Sequence, residues 1–317
     1  MADSAAFATK IRDALAPCSL GTWPTPLESR PDLAHALQLQ RLWLKREDRA
    51  GGNKVRGLEF LLADAPPRSV FVTVGGTGST HCLATALHAK ARGYRTAVAL
   101  FPQPETDASR IVAEATTRAA HVVQRASHQL TLPWAVLRAW RAAHHLGRGK
   151  PFWIPGGGAD PRAVVGHFLA ALELDQQVDA PPDIIVVPLG TGGTAAGIAL
   201  GIAWLGWSTR VVAVRVAPRL VANRWRALRL ARKAAAVLRR RGLRLDLPNS
   251  AIRLSVVHAM GKGYGHPTPE GEAAALFAAK YGVRLDPTYG AKAFGFFLQR
   301  ETWSMQRAVF WHTFAWP

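Results

Sequence analysis

Cysteine is scarce in this chain: only Cys18 and Cys82 occur in 317 residues, far apart and outside any paired motif. That excludes a disulfide framework and a cysteine-ligated zinc site, and it fits a reducing compartment. Acidic residues are also few, 21 against 40 lysines and arginines, for a formal net charge of +19. Ten of the basic residues fall in 219–244 with no acid among them. Such a surplus invites nucleic acid, yet no DNA- or RNA-reading motif accompanies it. Leu220, Trp225, Leu228, Leu230, Ala234, Val237 and Leu238 recur at helical spacing, so a helix with one buried face and one solvated basic face accounts for the stretch. Nucleic acid is therefore not expected as a partner. The opening residues carry Asp3, Lys10, Arg12 and Asp13 and no continuous apolar run, so they do not read as a secretory signal, and a cytoplasmic location is expected. The uncharged run 184–207 is long enough to cross a bilayer, but Pro188, Gly190, Gly192 and Gly193 interrupt it. A buried strand, a glycine-rich turn and a buried helix are expected there instead of a membrane span. No internal repeat, low-complexity tract or linker is evident.

What is present is a regular alternation of apolar strands and amphipathic helices. Helices are predicted at 58–65, 79–93, 105–120 and 134–145, with strands at 69–74, 95–101 and 121–126 between them. A second set begins near Phe152, with helices at 160–175, from Thr194, over the basic stretch, and at 269–281 and 289–300. Its strands are 183–189, 209–216 and 308–313. This order predicts an α/β fold of two open, twisted, mostly parallel sheets flanked by helices.

Three glycine-rich turns each follow a strand-like run: 51–54 (GGNK), 75–81 (GGTGSTH) and 190–194 (GTGGT). In open parallel sheets ligands bind beyond the carboxyl ends of the strands, so the three turns are expected to line one cleft. GTGGT followed by a helix suits a phosphate, although it lacks the lysine of a Walker loop, and a plain tight turn is the competing account. Lys54, behind two glycines and Asn53, is a candidate nucleophilic amine, though a turn lysine is the more ordinary reading. Ser79 and His81 stand at a predicted helix start, where an anion is favoured but an N-cap serine is common.

Several landmarks appear in order: TPLE (25–28), LKRED with GGNKVRGLEFLLADA (44–65), VTVGGTGSTH (72–81), IPGGGADPRAVVGHFLAALEL (154–174), GTGGTAAG from Gly190, GYGHPTPEG (263–271), LDPTYGAKA (285–293) and FWHT (310–313). With these, the chain resembles the 1-aminocyclopropane-1-carboxylate (ACC) deaminases and D-cysteine desulfhydrases, pyridoxal-phosphate (PLP) enzymes of the tryptophan-synthase β-subunit fold, from about Trp23 to Thr313. The resemblance implies PLP in an interdomain cleft, between a larger cofactor-binding domain (1–54 plus 152–317) and a smaller one (55–151), in a homodimer acting on a small amino acid. It implies that Lys54 holds PLP as a Schiff base and moves protons, and that Ser79 holds the substrate carboxylate. Tyr264 and Tyr289 would face cofactor and substrate, with Thr80 and His81 also beside the substrate. Gly190, Thr191, Gly192, Gly193 and Thr194 would bind the phosphate, supported by Asn53.

Departures from the family pattern refine this. Thr80 replaces the asparagine that binds the pyridine hydroxyl, and Gly57 replaces a basic residue. Gly290 stands where the deaminases carry glutamate and the desulfhydrases threonine, leaving Thr313 as the candidate partner of the pyridine nitrogen. Phe314 and Ala315 replace two glycines at the pocket rim. The absent acid tilts the expectation toward the desulfhydrase branch: α,β-elimination from a D-cysteine-like substrate to pyruvate and ammonia, with sulfide. ACC deamination, β-replacement or racemisation, and a non-catalytic basic binding protein are the alternatives.

Overall fold

The apolar run IIVVPL forms a strand, β7 (Ile184–Leu189), whose every residue is buried, as expected of a central parallel strand covered on both faces. The structure, a computed structural model, describes residues 3–146, 149–245, 247, 251–299 and 306–314. Around β7 a six-stranded sheet is ordered β1 (Leu27–Ser29), β2 (Arg41–Arg46), β10 (Arg307–His312), β7, β8 (Arg210–Arg215) and β9 (Leu254–His258). Only the β1–β2 pair is antiparallel. A second, four-stranded parallel sheet is ordered β5 (Val122–Arg125), β4 (Arg95–Phe101), β3 (Val70–Gly76) and β6 (Pro151–Ile154). The mixed α/β fold with two mostly parallel sheets is the one expected.

The second set, expected to begin near Phe152, begins later: Phe152 lies in β6 of the smaller sheet, where it registers with Phe71 of β3. The crossing back to the larger sheet thus comes after Ile154. Among the helices and strands of the described residues, α1 (Ser4–Leu15), α2 (Pro31–Ala36), β1, β6 and β9 were not anticipated.

The helices follow their periodicity. α3 (Lys54–Ala63) starts at Lys54 itself, four residues ahead of the predicted start. α4 (Thr80–Ala91), α5 (Asp107–Ala119) and α6 (Leu132–Leu146) cover the smaller sheet; Thr106 and Ser109 form a reciprocal cap at the start of α5. α7 (Pro161–Asp175) and α8 (Gly193–Trp204) pack closely within the larger unit, where a Cβ at Gly197 would fall 2.4 Å from the His167 Cβ. The run 184–207 is β7, a turn and α8, and among the described residues no helix is long and apolar enough to cross a membrane.

The basic stretch forms α9 (Arg224–Arg240), which buries Ala227, Leu228, Ala231, Ala234 and Leu238. Leu220 and Trp225, expected on the buried face, are 86% and 66% exposed. The reason is the cap: Asn223 accepts the Arg226 N–H at 2.9 Å, so the helix begins after Leu220, and Trp225 falls on the solvent side of its first turn. α10 (Pro269–Lys280) and α11 (Gly290–Leu298) complete the larger unit. Ala315 lies outside the described residues.

Candidate active site

The carboxyl ends of β3, β4, β7 and β8 meet the start of α3 at a cleft of about 370 Å³. Lys54, Ser79, His81, Gly190, Thr191, Tyr264 and Tyr289 all line it. A narrower space opens from it, lined by Asn53, Lys54, Thr80, the run 190–194, Tyr289 and Thr313. The two spaces share Lys54, Gly190, Thr191 and Tyr289. The structure thus brings every sequence-derived candidate to one continuous site.

Lys54 occupies the first turn of α3, behind Gly51 and Gly52, whose φ values of 78° and 98° turn the chain sharply out of β2. No acid pairs with it among the described residues, and burial lowers its pKa from 10.5 to about 8. A neutral amine is therefore accessible near neutral pH. Ser79 caps α4, accepting the Cys82 N–H at 3.3 Å, with its own hydroxyl toward the Cys82 sulfur. A Cβ at Gly75 would lie 2.5 Å from Ser79 Oγ, so only glycine lets β3 end this close to the serine.

His81 Nε2 lies 2.9 Å from Thr73 Oγ1, which donates to the Ile154 carbonyl at 2.9 Å; the threonine therefore accepts from the imidazole. Burial, reinforced by Lys54, lowers the His81 pKa to about 3 and keeps the ring neutral. Across the cleft the Tyr264 and Tyr289 hydroxyls are 2.5 Å apart. Burial raises the Tyr264 pKa to about 12 and that of Tyr289 still further, so both stay protonated.

The turn from β7 into α8 bears on a phosphate. Gly192, at φ 95°, ends it, and no side chain caps α8, so the N–H groups of Gly193, Thr194 and Ala195 have no intrahelical acceptor. Thr191 Oγ1 is buried there without a partner. Asn53 Nδ2 donates to Thr194 Oγ1 at 2.7 Å, tying the start of α3 to the start of α8. An orphaned hydroxyl and an uncapped helix beside a lysine form a site that fits an aldehyde-bearing phosphate ester.

Thr313, 5% exposed, ends β10 in the same space, its carbonyl accepting the Asn53 N–H at 2.9 Å. Gly290 sends nothing into the cavity. Its neighbour Asp286 accepts the N–H groups of Thr288, Tyr289 and Gly290, and a Cβ at Gly290 would lie 2.9 Å from Asp286 Oδ2. Burial outweighs those hydrogen bonds and raises the Asp286 pKa to about 6. Gly57, where the family carries a basic residue, faces Ala163 of α7, whose Cβ is 2.8 Å from a Cβ placed there.

Residues 18–313 match the family described as pyridoxal-phosphate dependent enzyme. The chain belongs to that family. Among its relatives is the bifunctional D-cysteine desulfhydrase/1-aminocyclopropane-1-carboxylate deaminase, mitochondrial, of Arabidopsis thaliana, 31% identical over 93% of this chain and 77% of that protein. Nocardicin C-9' epimerase of Nocardia uniformis subsp. tsuyamanensis is 35% identical over 93% of each chain. A putative 1-aminocyclopropane-1-carboxylate deaminase of Pyrococcus furiosus is 30% identical over 86% of this chain and 83% of that protein. The crystal structure of an ACC deaminase homologue superposes with a TM-score of 0.81, at 27% identity, covering 96% of this chain and 94% of that one. The enzyme is thus PLP-dependent, of the ACC deaminase and D-cysteine desulfhydrase group of lyases and deaminases.

Residues that the sequence did not flag support this PLP enzyme's site. Arg56, 2% exposed, donates to Glu47 at 2.7 and 2.8 Å and to Glu173 at 2.9 and 3.0 Å, and it lies over the Trp23 ring at 3.9 Å. Lys45 is buried against the same Glu173. This charge cluster locks α3, and so Lys54, to β2 and α7. The alternating charges of LKRED were its only sequence signal, and they read equally well as a solvated strand end.

Proposed function

We propose that the enzyme catalyses α,β-elimination from a β-substituted D-amino acid, a D-cysteine desulfhydrase-like reaction yielding pyruvate and ammonia, and sulfide from D-cysteine. The observation that carries this reading is one cleft holding an amine of pKa about 8, a serine hydroxyl and two protonated tyrosines, with no acid at position 290. The Arabidopsis relative supports it.

PLP would be held covalently by Lys54, with its phosphate at Gly190–Thr194 and the N-terminus of α8. Asn53 and Thr80 would lie beside the ring, and Thr313 toward its nitrogen. When bound, PLP supplies an electron sink for the pair left at the substrate Cα. Ser79 and the first-turn N–H groups of α4 bind the substrate carboxylate, fixing which bond at Cα is broken. Lys54 would take the Cα proton as a neutral base. The tyrosine pair has two hydroxyl hydrogens and uses one internally, which leaves the other to hydrogen-bond a departing β-substituent. Neutral His81 adds no charge that would compete for the carboxylate. The reading carries with it a large domain of residues 1–54 and 152–317, save that β6 to Ile154 belongs to the smaller sheet, a small domain of 55–151, a homodimer and a cytoplasmic location.

A second reading is epimerisation at Cα, favoured by the 35% identical epimerase and by two proton carriers, Lys54 and Ser79, in one cleft. Incubation with D-cysteine, L-cysteine and ACC in D₂O separates the two. Elimination gives pyruvate and sulfide from D-cysteine, abolished in Lys54→Ala; epimerisation gives inverted, Cα-deuterated amino acid without keto acid. Keto acid from ACC alone refutes the desulfhydrase reading.

A further inference from the structure

Ten large apolar side chains are exposed among the described residues, and five of them, Leu130, Trp134, Leu220, Val221 and Trp225, fall in two short segments, 129–134 and 220–225. Both segments reach the active-site cleft: Gln129 and Leu132 line it from the smaller unit, and Pro218 and Val221 from the larger. Isolated exposed apolar residues need no explanation, but two segments that each carry exposed apolar side chains and each give the cleft an apolar lining residue, Leu132 and Val221, mark a binding surface.

These two segments, the lips of the cleft, are preformed. The N–H groups of Val221 and Ala222 both donate to the Pro218 carbonyl at 2.9 Å, and Asn223 Nδ2 donates to the Arg219 carbonyl at 2.8 Å. In the other, Thr131 Oγ1 accepts the His128 N–H at 3.1 Å and donates to the His128 carbonyl at 2.8 Å. The cleft behind them continues the same character, with Val74, Phe101, Leu132 and Ala217 in its wall.

Resting on the elimination reading, we propose that the preferred substrate is a cysteine S-conjugate, an amino acid whose sulfur carries a large apolar, aryl-type group seated between the two lips. The reaction is then balanced as follows. The Cα–H bond breaks and its proton passes to Lys54; the pair left at Cα forms Cα=Cβ as the Cβ–S bond breaks, and the thiolate leaves with that bond's electrons. Water hydrolyses the released enamine to pyruvate and ammonia, and the thiolate takes up a proton. The apolar thiol leaves through the lips that held it.

The test compares S-benzyl-D-cysteine with D-cysteine, by pyruvate release and by Cα-proton exchange in D₂O. Burying an aryl group between the lips raises kcat/KM about tenfold or more over D-cysteine. Val221→Glu and Leu132→Glu, both in the cleft wall, each lower that ratio by about tenfold; because the ratio is taken within one preparation, loss of folded enzyme cancels. Equal kcat/KM for the two substrates overturns the subsite and leaves the elimination reading standing. A ratio unmoved by the variants while the protein's oligomeric state changes assigns the lips to a second copy and also overturns it. Neither pyruvate nor exchange from any amino acid, with PLP bound, refutes the elimination reading and the subsite with it.

Discussion

Arg56→Met tests how much the buried charge cluster behind Lys54 stabilises the fold. The methionine keeps the length of the stem but leaves Glu47, wholly buried, with Thr25 Oγ1 as its remaining side-chain partner, and Glu173 with Lys45 and Thr25. Removing one member of a buried pair costs about 3–5 kcal/mol, because a buried charge is left uncompensated. At about 2.1 cal/mol/K per residue the unfolding entropy of 317 residues is about 0.7 kcal/mol/K, so Tm falls by about 4–7 °C at pH 7. The pH dependence carries the sharper signature. Burial pushes the Glu173 carboxyl up, but Arg56 and Lys45 together hold it below 4.5. In the wild type its contribution is therefore complete above that pH and is lost as pH falls through the lower folded value. Without Arg56 the burial effect gains ground and the carboxyl takes up a proton at higher pH, so the Tm gap narrows between pH 7 and pH 4.5. Calorimetry at both pH values reads this, and adding Glu47→Gln to Arg56→Met recovers part of the loss. A gap of the same size at both pH values, or no loss at all, refutes the reasoning.

With Lys54 as the proposed PLP-binding amine, capture of PLP by the apoenzyme needs that amine neutral, so its rate rises about tenfold per pH unit up to about 8 and then levels, followed by absorbance. Thr191→Val removes the orphaned hydroxyl at the phosphate turn and weakens PLP binding about tenfold, the worth of one good hydrogen bond, measured by equilibrium dialysis. Gly57→Lys, which restores the family's basic residue, forces α3 away from Ala163 and lowers stability by about 1–3 kcal/mol in urea titration; an unchanged midpoint contradicts the packing. Tyr264→Phe leaves the Tyr289 hydroxyl, 2.5 Å away, without its partner, and lowers kcat for elimination about tenfold or more while PLP absorbance persists.

The legible parts of the sequence were those where local pattern and tertiary role agree. β7 and α8 read correctly because an unbroken apolar run followed by glycines has few other ways to be buried. The site turns were visible because glycine is required wherever backbone approaches a ligand. What escaped notice depends on partners distant in sequence. Lys45 and Arg56 look solvated until Glu173, 128 and 117 residues away, is seen beside them. β9 is short and mostly half-buried, which weakens its alternation. Leu220 and Trp225 fit the helical period of the basic stretch, and only the capping geometry of Asn223 shows that they face outward.

The scarcity of cysteine bears on how this protein withstands its own chemistry. The proposed elimination from cysteine or its conjugates would release sulfide or thiols, whose oxidised forms are attacked by protein thiolates to give mixed disulfides. Burial raises the Cys82 pKa to about 12, directly behind Ser79, and burial likewise raises that of Cys18, whose thiol donates to the Glu59 carbonyl. At neutral pH almost no thiolate is exposed to exchange. The enzyme is expected to work in accumulating product without mixed-disulfide inactivation, and to resist iodoacetamide while folded.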